Sequence, residues 1–225
     1  MTSELENSQS DRETSDLVTE DRQTWWDARY IGVRYDATRH DDWISKHLVL
    51  IPPNLPLIEL GCGFGFIAEI TYRTGRNILA TDISPIALAA LQERRPEIPT
   101  QRVDFERRLP FGDFRFGAVI ANLCLHYFDR DTTFRVLSEI QRVLASEGVL
   151  LCRVNSSSDI HYGAGIGELV EMGLYCKNGH YKRFFDEAMI GEFFDGWDLL
   201  ELKNYDLAHY TPPKNVYEIV ARVRP

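Results

Sequence analysis

Between residues 57 and 65 the chain reads Leu-Ile-Glu-Leu-Gly-Cys-Gly-Phe-Gly, an apolar strand that breaks into glycines at every second position: Gly61, Gly63 and Gly65. A strand running straight into such a loop must turn sharply and let its backbone come close to another group, and a Cβ at those points would block one or both. An acid, Glu59, stands two places before the first glycine. The spacing differs from Gly-x-Gly-x-x-Gly, whose helix N-terminus faces a pyrophosphate. Alternate glycines beside a carboxylate suit a nucleotide-type ligand with a cationic amino-acid end and disfavour one carrying phosphates.

The downstream residues extend this pattern. Asn77–Asp82 reads as a second strand ending in an acid, after which Ser84 can cap a helix whose first turn holds Pro85. An acid there reaches ribose hydroxyls. A third run, Thr100-Gln-Arg-Val-Asp104-Phe105, places a carboxylate where it can accept from an adenine amino group. A fourth, from Phe116 to Asn122, is apolar enough to be a central parallel strand buried on both faces. In open α/β sheets ligands bind at the carboxyl ends of the strands, and these polar residues all fall at such ends. The ligand they specify is S-adenosylmethionine, with S-adenosylhomocysteine as product; Glu59, Gly61, Cys62, Gly63, Gly65, Asp82, Ile83, Asp104, Phe105 and Asn122 are its expected contacts.

The Glu59–Gly65 motif with correctly spaced Asp82 and Asp104 resembles the class I S-adenosylmethionine-dependent methyltransferases, from about residue 24 to the C-terminus. Within that superfamily, Asn122-Leu-Cys-Leu-His-Tyr-Phe, Arg153-Val-Asn155-Ser and Tyr181-Lys-Arg-Phe-Phe-Asp are similar to bacterial small-molecule methyltransferases of the tellurite-resistance and thiopurine type. The resemblance implies a doubly wound, Rossmann-like α/β fold: seven mostly parallel strands, an antiparallel last strand, and helices on both faces. One departure is Ser146-Glu147-Gly148 where relatives often carry Pro-Gly-Gly; the glycine for the turn into the fifth strand is kept.

Helices are expected at Trp43–Leu50, Gly65–Arg73, Ser84–Arg95, Thr132–Ala145 and Asp186–Phe194, the fourth with Phe134, Leu137, Ile140, Val143 and Leu144 at helical spacing. Val149–Asn155 reads as the fifth strand, and Trp197–Leu202 with Val216–Val223 as a terminal hairpin. Residues 1–24 are rich in Ser, Thr, Glu and Asp with almost no large apolar residues, a composition that cannot offset the entropy of ordering, so they are expected to be a disordered acidic tail. Residues 25–225 then form one domain with an N-terminal helical cap.

A net charge of −9 opposes binding to a phosphate backbone. No apolar run approaches the ~20 residues of a membrane span, and no signal peptide is evident, so a cytoplasmic monomer or homodimer without nucleic-acid or membrane partners is expected. The four cysteines form no Cys-x-x-Cys pair and read as buried thiols; His161 and His180 are too isolated to argue for a metal, and none is expected.

Methyl transfer is an in-line displacement at an already activated carbon, so the protein mainly aligns the nucleophile, excludes water and sometimes takes a proton. His126 and Tyr127, just after the fourth strand, are the candidate catalytic residues, His126 because its ordinary pKa lies near neutrality. The long Gly-, Tyr- and His-rich segment 156–183 reads as a substrate loop. Asn155, Tyr162, Tyr181 and Arg183 are the substrate candidates there, Arg183 through its planar fork. Trp26, Tyr30 and Tyr35 join them, with two readings open: an aromatic cover over cofactor and substrate, or a helix packing its apolar face on the domain. The expected acceptor is an N, S or O atom of a small aromatic or heterocyclic molecule. A protein side chain or terminus as acceptor, and a noncatalytic cofactor-binding regulator, both remain open. A base-flipping enzyme is disfavoured because Asn122-Leu-Cys-Leu lacks the Pro-Pro-aromatic sequence that stacks a flipped base. The glycine spacing argues against a dehydrogenase.

Overall fold

The computed structural model describes residues 22–36 and 41–224. Of the expected tail, residues 1–21 lie outside the described residues, and residues 22–30 form a helix, α1. Next come a 3-10 helix at Ser45–Leu50, β1 (Leu57–Leu60), α2 (Phe66–Arg73), β2 (Ile78–Asp82), α3 (Pro85–Arg94), β3 (Thr100–Arg102) and β4 (Phe116–Asn122). The second half holds α4 (Arg130–Val143), β5 (Leu144–Asn155), β6 (Glu168–Glu171), β7 (Leu174–Lys177), β8 (His180–Arg183), α5 (Glu187–Phe193), β9 (Trp197–Leu207) and β10 (Lys214–Val223).

Seven strands form one sheet in the order β3-β2-β1-β4-β5-β10-β9. The first five are parallel, and β10 runs antiparallel to both of its neighbours. Alternation along the strands splits the core in two, because successive side chains leave opposite faces. Ile58, Leu60, Val119, Ala121, Leu150 and Cys152 pack with Val136, Leu137 and Ile140 of α4 and Ile190 and Phe193 of α5. Leu57, Ala118, Ile120, Val149 and Leu151 pack instead with Ile67 and Ala68 of α2 and Leu88 and Leu91 of α3. A sheet apolar on both faces must be covered on both, which is the doubly wound arrangement.

Two local caps fix where helices start. The Ser84 hydroxyl accepts from Ala87 N with Pro85 at the first helical position, and the Asp129 carboxylate accepts from Thr132 N. The segment 156–183, expected as a substrate loop, contains a second, three-stranded antiparallel sheet, β6-β7-β8. Its β7–β8 turn is Asn178-Gly179, both at positive φ, the two-residue geometry that matches strand twist in a hairpin. The stretch Trp43–Leu50, expected as a helix, is 3-10 over Ser45–Leu50.

Candidate active site

The carboxyl ends of the central strands open into a cavity of about 350 Å³. Gly61, Asp82, Ile83, Asp104, Phe105 and Asn122 line it from the strand ends, and Arg22, Trp26 and Tyr30 line it from α1. The local backbone explains the first group. Gly61 has φ +66°, and a Cβ there would lie 2.8 Å from the Cys124 Cβ. The loop between β1 and α2 can therefore pass tightly over the end of β4 only with glycine at that point.

Asp82 is bound to this loop. Its Oδ2 accepts from Gly63 N at 2.8 Å and its Oδ1 from Ser84 N at 2.9 Å, so one carboxylate joins the glycine turn to the start of α3. Burial pushes its pKa up, against the pull of these N–H donors. Asp104 accepts from Glu106 N, lies 3.4 Å from the Arg107 guanidinium, and is also held above the usual carboxylate range by burial. Arg22 pairs with Glu106 and brings α1 over this end. Asp27 of the same helix accepts from the Ser84 hydroxyl, which fixes α1 a second time.

Four residues expected at the cofactor do not line the cavity. Glu59 is buried, accepts from the Ala68 amide near the start of α2, and is raised well above the carboxylate range by burial. Its Oε2 has no hydrogen-bond partner among the described residues. Cys62 is packed in the core, the Gly63 amide is engaged by Asp82, and Gly65 caps α2 against Leu91. They shape the loop, while the groups that line the cavity are the acids and Asn122. The Asn122 Oδ1 is a buried acceptor without a partner among the described residues. A carboxylate pair, an unpartnered amide oxygen and a turn that a Cβ would obstruct fit a ligand rich in donors, as a ribose diol, an adenine amine and an ammonium are. Asp82, Asp104 and Asn122 are the side chains that would hold S-adenosylmethionine.

The other end of the cavity differs in chemistry. His126, Tyr127, Lys182, Tyr210 and Lys214 line it, whereas Phe128 lies against Phe105 and Arg22, and Cys124 against Gly61. His126 is 1% exposed and its Nδ1 has no partner among the described residues. Burial, with the Lys214 and Lys182 ammoniums beside it, pushes its pKa well below the ordinary 6.5, so the ring is neutral at physiological pH. Burial likewise pushes the Tyr127 phenol up, keeping it protonated. Lys182 donates to the Tyr162 carbonyl at 2.7 Å, and burial and Lys214 pull it down to about 8. Lys214 pairs with the buried Asp159 at 2.9 Å.

Of the substrate candidates, Trp26 and Tyr30 line the cavity and the others do not. Tyr35 donates to Glu69 and stacks under the Arg94 guanidinium. Asn155 is fully buried at the end of β5, with its carbonyl accepting from Phe185 N. Tyr162 lies behind the lysines, its hydroxyl donating to the Pro212 carbonyl. Tyr181 is 41% exposed, beside a shallower cleft with Trp25, Trp26 and His180. Arg183, expected to hold an anion, is 2% exposed and engaged through both terminal nitrogens: it donates to the carbonyls of Met172 and Phe128, pairs with Glu171 and covers the Phe193 ring. It clamps the small sheet to the turn after β4. Sequence reasoning missed Lys182, Lys214, Tyr210, Phe128 and Arg22.

Among the described residues, His47, Glu201 and Glu218 come close enough to suggest a cation site. Glu218 already contacts Lys46 at 2.5 Å and Arg153 at 3.2 Å, and Glu201 contacts Lys203 at 2.8 Å. Their charge is met by protein cations, and the group is an ion-pair network. No described helix is long and apolar enough to cross a membrane.

Residues 58–152 match a family described as a methyltransferase domain. A probable S-adenosylmethionine-dependent methyltransferase of Mycobacterium tuberculosis is 25% identical over 130 residues, 55% of this chain and 45% of the relative. The chain thus spans less than half the length of the curated relatives it matches first. Among solved structures, a SAM-dependent methyltransferase from Methanosarcina mazei superposes with a TM-score of 0.69 at 16% identity, covering 82% of this chain and 99% of that one. The 1,6-didemethyltoxoflavin-N1-methyltransferase of Burkholderia thailandensis, crystallised with 1,6-didemethyltoxoflavin and S-adenosylhomocysteine, superposes with a TM-score of 0.68 at 20% identity, covering 95% and 90%. The matched segment begins in β1 and ends in β5, so it contains the glycine turn and both acids described above, and over this segment the chain is similar to S-adenosylmethionine-dependent methyltransferases.

Proposed function

We propose that this chain transfers a methyl group from S-adenosylmethionine to an N, S or O atom of a small planar molecule. The observation that carries this reading is the two-ended cavity: acids and a free amide oxygen line one end, and aromatic side chains with an unpartnered imidazole line the other. Bound cofactor supplies a sulfonium-activated methyl group. Trp26, Tyr127 and Tyr210 give an acceptor ring apolar walls and keep water away from the transfer. Tyr127, protonated, can donate to an acceptor heteroatom and orient it. His126 can accept a hydrogen bond at Nδ1, but beside two ammoniums its ring is a weak base.

A methyl acceptor on another protein would have to reach past Arg22, Trp26 and Tyr30 of α1, which form one wall of the cavity; this arrangement favours a small molecule. The Burkholderia enzyme, whose printed substrate is a small heterocycle, supports the same acceptor class. Calorimetric titration with S-adenosylhomocysteine, with NAD as control, tests the first half of the proposal. Micromolar binding of the former alone is expected, and methyl transfer to members of a panel of thiols, heterocyclic amines and phenols tests the second half. Binding without transfer to any acceptor would return the noncatalytic reading, and absence of binding would refute the proposal.

A further inference from the structure

The acceptor end of the cavity carries more positive than negative charge. Lys182 reaches it from β8 and Lys214 from the start of β10. The titratable groups packed around them are Asp159, which pairs with Lys214, the neutral His126, the protonated Tyr127, and the Tyr162 and Tyr210 rings, over which the Lys214 ammonium lies. Asp159 is one carboxylate against two ammoniums, and its second oxygen accepts from Asn215 N. Among the described residues Lys182 donates to the Tyr162 carbonyl and to no carboxylate. The acids of the cofactor end, Asp82, Asp104 and Glu106, arise from the opposite side of the cavity, and Glu106 is already paired with Arg22.

A half-buried ammonium beside a second ammonium is costly unless an anion joins it. Burial and Lys214 depress Lys182, burial depresses Lys214 against the pull of Asp159, and both ammoniums weaken His126 as a base. A site built to remove a proton would not place two cations beside its base, whereas a site built to receive an acceptor already deprotonated would. We propose that the acceptor is a planar molecule bound as its anion, a phenolate, enolate or deprotonated heterocyclic N–H, with the negative charge held by Lys182 and Lys214. This inference rests on the methyltransferase reading. The step balances without a base: the acceptor's anionic atom forms a bond to the methyl carbon, and the carbon–sulfur bond breaks with its electron pair retained by sulfur. An anion and a sulfonium cation give two neutral centres, and no proton has to leave.

The test uses the full chain loaded with S-adenosylhomocysteine, whose titration is read first. 4-Nitrophenol is then added as the probe, because its phenolate and phenol absorb differently, with 4-nitroanisole as its neutral isostere. The bound probe is expected to stay phenolate to about one pH unit lower than in solution, a tenfold preference for the anion. 4-Nitroanisole should not displace it. Lys182→Gln should abolish most of the spectral shift and Lys182→Arg restore it. Binding of the probe as colourless phenol, displacement by the anisole at equal concentration, or no probe binding to the loaded protein would each overturn the inference while leaving the cofactor reading standing. Failure of the unmodified protein to bind S-adenosylhomocysteine would overturn both. Should Lys182→Gln fail to fold, the phenolate–anisole comparison on the unmodified protein decides alone.

Discussion

Replacing Asp82 with Asn keeps the shape of the side chain and removes its ability to accept at both oxygens. In the native protein the two carboxylate oxygens receive Gly63 N at 2.8 Å and Ser84 N at 2.9 Å. An amide has one carbonyl oxygen, so in either orientation one of these N–H groups faces an NH2. Losing a charge-assisted bond costs about 1.5–3 kcal/mol, and leaving a buried donor unmet costs about 1–3 kcal/mol; the two overlap because they describe the same contact. Against this stands relief of burying a charge, which is real here because burial raises the Asp82 pKa despite its donors. The net expectation is a loss of about 1–3 kcal/mol in stability, read as a lower urea midpoint at unchanged slope. S-adenosylhomocysteine affinity should fall about tenfold or more, through the lost acceptor for the ribose and a less fixed glycine turn. A variant with the native urea midpoint would refute the claim that this carboxylate holds the turn. A variant with a lowered midpoint and native affinity would remove Asp82 from the ligand contacts and leave it as a loop anchor.

Two other changes separate scaffold from site. Arg183→Met removes donors to two carbonyls and the partner of Glu171 from a buried position, and should lower stability by about 2–4 kcal/mol; an unchanged urea midpoint would sink its role as a clamp. His126 makes stability depend on pH in a defined direction. Its folded pKa lies well below the unfolded value of 6.5, so between the two the unfolded chain binds more protons and stability rises with pH. The contribution is fully present above about pH 6.5 and is lost as pH falls, with a slope of up to ~1.4 kcal/mol per unit. His126→Gln should flatten that slope between about pH 5 and 6.5 in urea titrations, and an identical slope in the variant would show that the imidazole is not held neutral by its surroundings.

The cofactor end was legible in the sequence because local backbone rules dictate it. Gly61 has to be glycine where the chain crosses the end of β4, Ser84 and Pro85 announce the start of α3, and the acids fall where parallel strands end. Glu59 does not line the cavity. An acid two residues before the turn lies inside the strand, and in a sheet covered on both faces it points beneath the loop, toward α2. The acceptor end was not legible, because it is assembled from the turn after β4, from β8 and from the start of β10. Nothing local in Lys182 or Lys214 distinguishes a cavity lysine from a solvated one. The choice of Arg183 over Lys182 shows how narrow the error can be: neighbours on a strand take opposite faces, so once β8 exists only one of the pair can reach the cavity. The signal for β8 was present in Asn178-Gly179, a hairpin turn between two short runs that lack a clean apolar alternation.

The reversal of the last strand explains why the two ends differ in charge. Parallel strands present only their carboxyl ends to the cavity, and there β2 delivers an acid and β4 an amide. Because β10 runs the other way, its first residue, Lys214, reaches the same side of the sheet, and the connection from β9 brings Tyr210 with it. The sheet β6-β7-β8 occupies the connection after β5 and supplies Lys182, held against the turn after β4 by the bond from Arg183 N to the His126 carbonyl at 2.7 Å. That bond places Lys182 next in sequence to a fixed point on the His126 backbone. The cofactor end therefore depends on the glycine turn and the central strands, and the acceptor end depends on two later elements that can vary without disturbing it. Asp82→Asn and Lys182→Gln should accordingly act on different ligands, the first on S-adenosylhomocysteine and the second on the anionic probe, with little energetic coupling between them in the double variant, as expected for sites that share no contact.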